Sequence, residues 1–248
     1  MRALFLLFIF LLPTTGVVAF ASALKQVRLV SIDYPPYYGP KLANQGVITE
    51  IVKASFKASG IVASVDFATW ARAKSLAQQG LYDAIFTMWY SPEREKHFIF
   101  SKGLMPNILG FYSLESSRVK KGGLASLEGY KIGVVRGYAN PAKLMSSPLH
   151  LYIGNSDEEN IRLLINKRLD VILIDKYVGQ YLYYKNFKNK EKIHWLNPAL
   201  VKKMQYLAAP RSSLRAREVI TAFNQGLKKL RKSGEYERLL EQLDALQR

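Results

Sequence analysis

Residues 83–101 read Asp83-Ala84-Ile85-Phe86-Thr87-Met88-Trp89-Tyr90-Ser91-Pro92-Glu93-Arg94-Glu95-Lys96-His97-Phe98-Ile99-Phe100-Ser101. The apolar run Ala84 to Met88 has the length of a buried strand. It ends at Ser91-Pro92, a helix-start signal, because Ser caps and Pro is tolerated at the first helical position. Arg94 follows, and Phe98 to Phe100 return the chain to the core. An arginine therefore stands where a buried strand empties into a helix-like turn. Backbone N–H groups at such a turn favour an anion, and a guanidinium adds a rigid fork that matches a carboxylate. The competing reading pairs Arg94 with Glu93 or Glu95 on the surface.

Upstream, the chain alternates. Val27 to Ile32 is strand-like, and Val47 to Phe56 has the apolar spacing of a helix face that Gly60 ends. Ile61 to Phe67 alternates as a strand does, and Ala71 to Gln79 reads as a helix stopped by Gly80. Strand, helix, strand, helix, strand is the order of a parallel sheet with covering helices. Ligands in such sheets sit at the carboxyl ends of the strands. Three features fall there: the stiff loop Asp33-Tyr34-Pro35-Pro36-Tyr37-Tyr38, Trp70, and the turn from Thr87 to Arg94. The tyrosine loop is either a ligand wall or a cover over the core.

Downstream, Met105 to Ser113 is extended and suits a crossing to a second unit that repeats the alternation. Lys131 to Val135 is a strand, followed by the turn Arg136-Gly137-Tyr138-Ala139-Asn140-Pro141. His150 to Ile153 is a strand, and Asp157 to Ile165 is a helix capped by Ser156 or Asp157. The apolar strand Asp170 to Ile174 ends at Asp175. A carboxylate in that place costs free energy unless something cationic meets it, which makes Asp175 a candidate for a ligand's amine; the competing reading is a helix N-cap, and one residue could do both. Ile193 to Pro210 contains extended stretches fit for a return crossing, and Ser213 to Lys232 and Glu235 to Leu246 form amphipathic helices split by Ser233-Gly234.

The bulk properties bound the function. The chain has 248 residues, no cysteine and a formal charge of +17. Residues 1–23 read as a cleaved secretory signal: Arg2, an apolar run from Ala3 to Leu12, then small residues Ala21-Ser22-Ala23. Cleavage after Ala21 or Ala23 fits equally, and an uncleaved anchor is the alternative. An exported chain without cysteine must hold itself by packing alone, and it has no thiol for a lipid anchor near the signal. These features suit a free periplasmic protein. The charge attracts anionic partners, but the basic residues are interleaved with acids, as in Lys228 to Arg238, and do not form a nucleic-acid stripe. Glu50 and Glu128 are the spare carboxylates for acid–base chemistry, yet neither sits in a motif, and His97, His150 and His194 lie far apart. No nucleophile elbow, zinc motif or cysteine nucleophile is present.

Four places in order resemble the bacterial periplasmic solute-binding proteins of the polar amino acid type, family 3, over essentially the whole mature chain. They are Tyr34-Pro35-Pro36-Tyr37, Trp70, the run from Gly80 through Arg94 to Phe100-Ser101, and the tail from Phe223-x-x-Gly226-Leu227 to Ser233-Gly234-Glu235-Tyr236. The resemblance implies an α/β, two-lobed, type II periplasmic-binding-protein-like fold. Each lobe is a mostly parallel sheet covered by helices, with two crossover strands as the hinge. It sets residues 24–108 and 205–248 as lobe 1 and 109–204 as lobe 2. It implies that Arg94, assisted by Thr87, takes a carboxylate, that Asp175 takes an ammonium, and that Tyr34 and Trp70 flank the ligand, with Tyr37 in the same loop. Two departures bear on the ligand. Where the family carries hydroxyl residues after a Gly, this chain has Gly137-Tyr138-Ala139-Asn140, so Asn140 and backbone N–H groups must serve. Where the family has a small residue, this chain has Trp89, which narrows the pocket or stacks. The implied function is capture of a small polar or anionic solute for an ABC transporter permease, with no cofactor, no metal, no nucleic acid and a monomeric chain. A ligand-sensing accessory role and a dehydratase-like enzyme are the alternatives.

Overall fold

The computed structural model describes residues 24–119, 122–136, 138 and 140–245. The signal-peptide reading on residues 1–23, and Gly137 and Ala139 of the second turn, lie outside the described residues. The first half begins with β1 (Gln26–Ser31), α1 (Val47–Lys57), β2 (Val62–Phe67), α2 (Trp70–Gln78) and β3 (Ala84–Trp89). Strand β1 pairs in parallel with both β2 and β3. The apolar run in β3 has no alternation because both of its faces are covered. Ala84 and Phe86 join Leu29 on the face packed by α1, whereas Ile85 and Met88 join Val30, Ala73 and Ala77 on the face packed by α2.

After β3 come α3 (Pro92–Glu95), β4 (Phe98–Phe100) and β5 (Pro106–Leu114). The second half then runs β6 (Lys131–Val135), α4 (Ala142–Met145), β7 (His150–Gly154), α5 (Asp157–Ile165), β8 (Val171–Asp175) and α6 (Lys176–Asn186). Strand β6 is parallel to β7 and β8. Period-2 alternation again divides the side chains: Val171 and Leu173 face one cluster with Ile132 and Val134, and Ile172 and Ile174 face another with Ile161 and Leu164.

Strand β9 (Ile193–Pro210) is a single element of 18 residues, where the sequence suggests separate extended stretches. It is long because it serves both halves. Ile193 to Met204 pair antiparallel with β5, while Gln205 to Pro210 pair antiparallel with β3 and β4. The full strand order is β2-β1-β3-β9-β5-β8-β6-β7, with β4 on β9. The halves thus meet along β5 and β9. The chain closes with α7 (Ala216–Ser233) and α8 (Glu235–Ala245), separated by Gly234 at φ 77°, a left-handed position that suits glycine. Helix α7 returns to the first half, where Phe223 meets Phe56 at 5.5 Å between ring centroids. No helix among the described residues is long and apolar enough to cross a membrane.

Candidate functional site

Ser91 caps α3 by accepting a hydrogen bond from the Arg94 backbone N–H at 3.2 Å, with Pro92 in the first turn. This short turn aims Arg94 back over β3. The guanidinium Nη1 donates to the Trp89 carbonyl at 2.7 Å, and the group lies 4.9 Å from the Trp70 ring centroid, within cation–π range. Among the described residues no carboxylate pairs with Arg94. Glu93 is held by Lys96 at 2.6 Å, and Glu95 accepts from the Tyr90 hydroxyl at 2.6 Å. The surface pairing that the sequence leaves open is therefore not formed. Partial burial lowers the Arg94 pKa from its ordinary value.

Arg94 lines a cavity of about 370 Å³ together with Ile32, Tyr34, Tyr38, Trp70, Thr87, Trp89, Asn107, Arg136 and Tyr138. The residues come from both halves. Thr87 reaches it through a break in regularity: its φ is 65°, and the β3–β9 register shifts between Ile85 and Met88. A β-branched residue in that conformation is strained, and the shift re-aims the strand end. Its hydroxyl donates to the Phe86 carbonyl at 2.6 Å and lies 3.3 Å from the Ser31 hydroxyl. Tyr34 and Tyr38 are 5.9 Å apart by ring centroid, and burial raises the pKa of both phenols, so both stay protonated.

Of the residues singled out from the sequence, Tyr34, Trp70, Thr87, Trp89 and Arg94 come together on this cavity, whereas Tyr37, Asp175 and Asn140 do not line it. Asp175 is 2% exposed and caps α6, accepting from the backbone N–H groups of Tyr177 and Val178. The Tyr37 hydroxyl donates to it at 2.6 Å, and Asn107 Nδ2 and the Ile108 N–H each donate at 3.1 Å. Both carboxylate oxygens accept hydrogen bonds, so of the roles expected for Asp175 the helix N-cap is formed in this structure. Burial raises its pKa, and these donors oppose the shift. Tyr37 is wholly buried with its hydroxyl on Asp175, and Asn140 turns its amide to the Val135 carbonyl at 3.0 Å. Glu50 and Glu128 also lie outside the cavity lining.

Sequence reasoning missed Asn107, Tyr38, Arg136 and Tyr138 as lining residues. Asn107 is the joint of a buried polar chain. Its Oδ1 accepts from Trp89 Nε1 at 2.9 Å and from Gln205 Nε2 at 2.7 Å, while its amide donates to Asp175. That chain ties β3, β5, β8 and β9 at the point where the halves meet. A lone Asn inside the extended run Met105 to Ser113 was the available signal. Tyr138 donates its hydroxyl to Asp157 at 3.1 Å. Among the described residues no group of three or more His, Asp or Glu side chains is placed to hold a metal.

A family model for bacterial extracellular solute-binding proteins, family 3, matches residues 28–243. The chain belongs to this family. The family 3 match spans both halves and the β5–β9 junction. Solved structures of the same fold include a histidine kinase sensor domain with similarity to periplasmic binding proteins. It has 19% identity, covers 89% of this chain and 96% of that one, and gives a TM-score of 0.71. The amino acid ABC transporter substrate-binding protein AbpA from Streptococcus pneumoniae, bound to L-arginine, has 18% identity, coverages of 90% and 95%, and a TM-score of 0.68. The GluR0 ligand-binding core from Nostoc punctiforme, in complex with L-glutamate, has 17% identity, coverages of 88% and 98%, and a TM-score of 0.67. A search of curated protein sequences returned no match. These likenesses establish the two-lobed, type II periplasmic-binding-protein-like architecture for this family 3 chain.

Proposed function

We propose that this protein captures a small carboxylate-bearing solute, an amino acid or a related acid, and presents it to an ABC transporter permease in the periplasm. The observation that carries the reading is Arg94: a guanidinium on the cavity wall, backed by Trp70, with no carboxylate of the described residues on it. One donor is held by the Trp89 carbonyl, and the rest of the fork is available for a carboxylate. The aromatic side chains Tyr34, Tyr38, Trp70 and Trp89 supply the apolar walls usual in a small-molecule site. No bond is broken in this role. Residues 24–108 and 205–248 act as one lobe and 109–204 as the other, hinging about β5 and β9 on the ligand. The chain acts as a monomer after removal of residues 1–23.

The test is ligand-dependent stabilisation, which mass action requires of anything that binds only the folded state. A panel of amino acids and organic acids is expected to contain a solute that raises the melting temperature by several degrees. Arg94→Gln should abolish that shift while the ligand-free variant still unfolds in one cooperative transition, a few degrees below the parent for the lost Trp89 and Trp70 contacts. A panel without effect, together with native mass spectra that show no co-purified small molecule, would refute solute capture. The second reading is a ligand-sensing accessory role, favoured by the likeness to a kinase sensor domain. Cross-linking in cell envelopes to a permease supports transport; cross-linking to a receptor kinase supports sensing.

A further inference from the structure

Besides Arg94, the cavity is lined by Arg136, which stands in the turn after β6 on the opposite half. Among the described residues no carboxylate pairs with either guanidinium, and no acidic side chain lines the cavity. The neighbouring carboxylates are engaged. Asp175 is satisfied by its donors, and Asp157 is 7% exposed behind the Tyr138 hydroxyl. We infer that the solute is a small dianion, a dicarboxylate with a short apolar or flat aromatic spacer, whose two acid groups are taken one by Arg94 and one by Arg136. The inference rests on the solute-capture reading and narrows its ligand.

The physical argument is charge balance. Cations set among low-dielectric aromatic walls focus a positive potential on the space between them. Closing the halves on a monocarboxylate would bury one guanidinium with no counter-charge, which is strongly unfavourable. A cationic amino acid would place a further positive charge where no lining carboxylate receives it. A zwitterion would need an acceptor for its ammonium, and the carboxylate expected to provide one, Asp175, is already occupied. Burial pushes the Asp157 carboxyl up to about 7, so it carries only part of a negative charge at neutral pH. A dicarboxylate neutralises both arginines, and its spacer lies against Tyr34, Trp70, Trp89 and Tyr138. A volume of about 370 Å³ accommodates such a molecule.

The experiment is calorimetry and thermal shift on the mature chain with glutarate and phthalate as dianions, butyrate and benzoate as monoanions, and L-glutamine and L-arginine as amino acids. The dianions are expected to bind tightest. Arg136→Gln should weaken dianion binding about 10–100-fold, the loss of one charge-assisted contact, and should not weaken monoanion binding, because it removes the guanidinium that a monoanion leaves unpaired. Arg136 is exposed in a turn, so an unchanged ligand-free melting temperature verifies that the variant folds. If L-glutamine or L-arginine binds tighter than either dianion, and binds equally to the Arg136→Gln variant, the dianion assignment is overturned while solute capture stands. If none of the probes binds and no small molecule co-purifies, both fail.

Discussion

Thr87 is β-branched and held at φ 65° beside the cavity, a backbone state that costs on the order of 1–3 kcal/mol. The fold tolerates it because the flanking residues Phe86 and Met88 are fully packed. Asp157 is a second residue out of its usual state. Burial raises its pKa from 3.8 to about 7; the nearby Asp175 charge adds to the rise, and the Tyr138 hydrogen bond opposes it. A carboxyl raised in the folded state stabilises the fold fully below its unfolded value and loses that contribution as pH rises through 7. Asp157→Asn, neutral at every pH, is therefore expected to melt several degrees above the parent at pH 8 and near it at pH 4.5. Equal melting differences at both pH values would exclude this account. Arg94 was legible as a candidate from a strand end followed by Ser-Pro. Asp157 was legible only as a helix cap, because its burial depends on Tyr138 folding over it.

At the scale of elements, α7 and α1 approach each other closely at Gly226. Gly226 faces the backbone of Ser55, and a Cβ added there would run into the Ser55 carbonyl oxygen. Backbone cannot rotate away as a flexible side chain can, so Gly226→Ala must push the helices apart and disturb the Phe56–Phe223 contact. A loss of about 1–3 kcal/mol follows, or roughly 3–10 °C in melting temperature for a chain of this size; an unchanged melting curve would contradict the packing. Most of the long helices and strands were legible to within a residue or two from period and punctuation, as with Asp157–Ile165 and Lys131–Val135, while α7 begins three residues after the expected Ser213. Continuous β9 was not, because the run Ile193 to Pro210 shows only separate extended stretches, and it contains Pro198, which has no N–H for a ladder. The strand persists because β5 pairs with it on both sides of that proline, with a register shift between Leu109 and Phe111.

At the scale of the molecule, the halves are joined along β5 and β9, and the cavity takes residues from both. If ligand closes them, small-angle scattering should show a smaller radius of gyration with a saturating solute than without; an identical profile at demonstrated saturation would exclude hinge closure. The buried chain Trp89–Asn107–Asp175–Tyr37 crosses the junction, so directional hydrogen bonds tie the halves together there alongside the shared apolar core. The local signals in the chain determined its two alternating α/β halves and set the Tyr34 loop, Trp70 and the turn from Thr87 to Arg94 at strand ends, by spacing, capping and turn chemistry within a few residues. The two-lobed fold class, and Trp89 as a wall residue, came from the resemblance to family 3. Only the tertiary structure decided that Asp175 is sealed by Tyr37 and Asn107, and that Arg136 and Tyr138 complete the cavity. Those facts depend on which side chains meet across long sequence separations, and on which carboxylates find a donor before any ligand does.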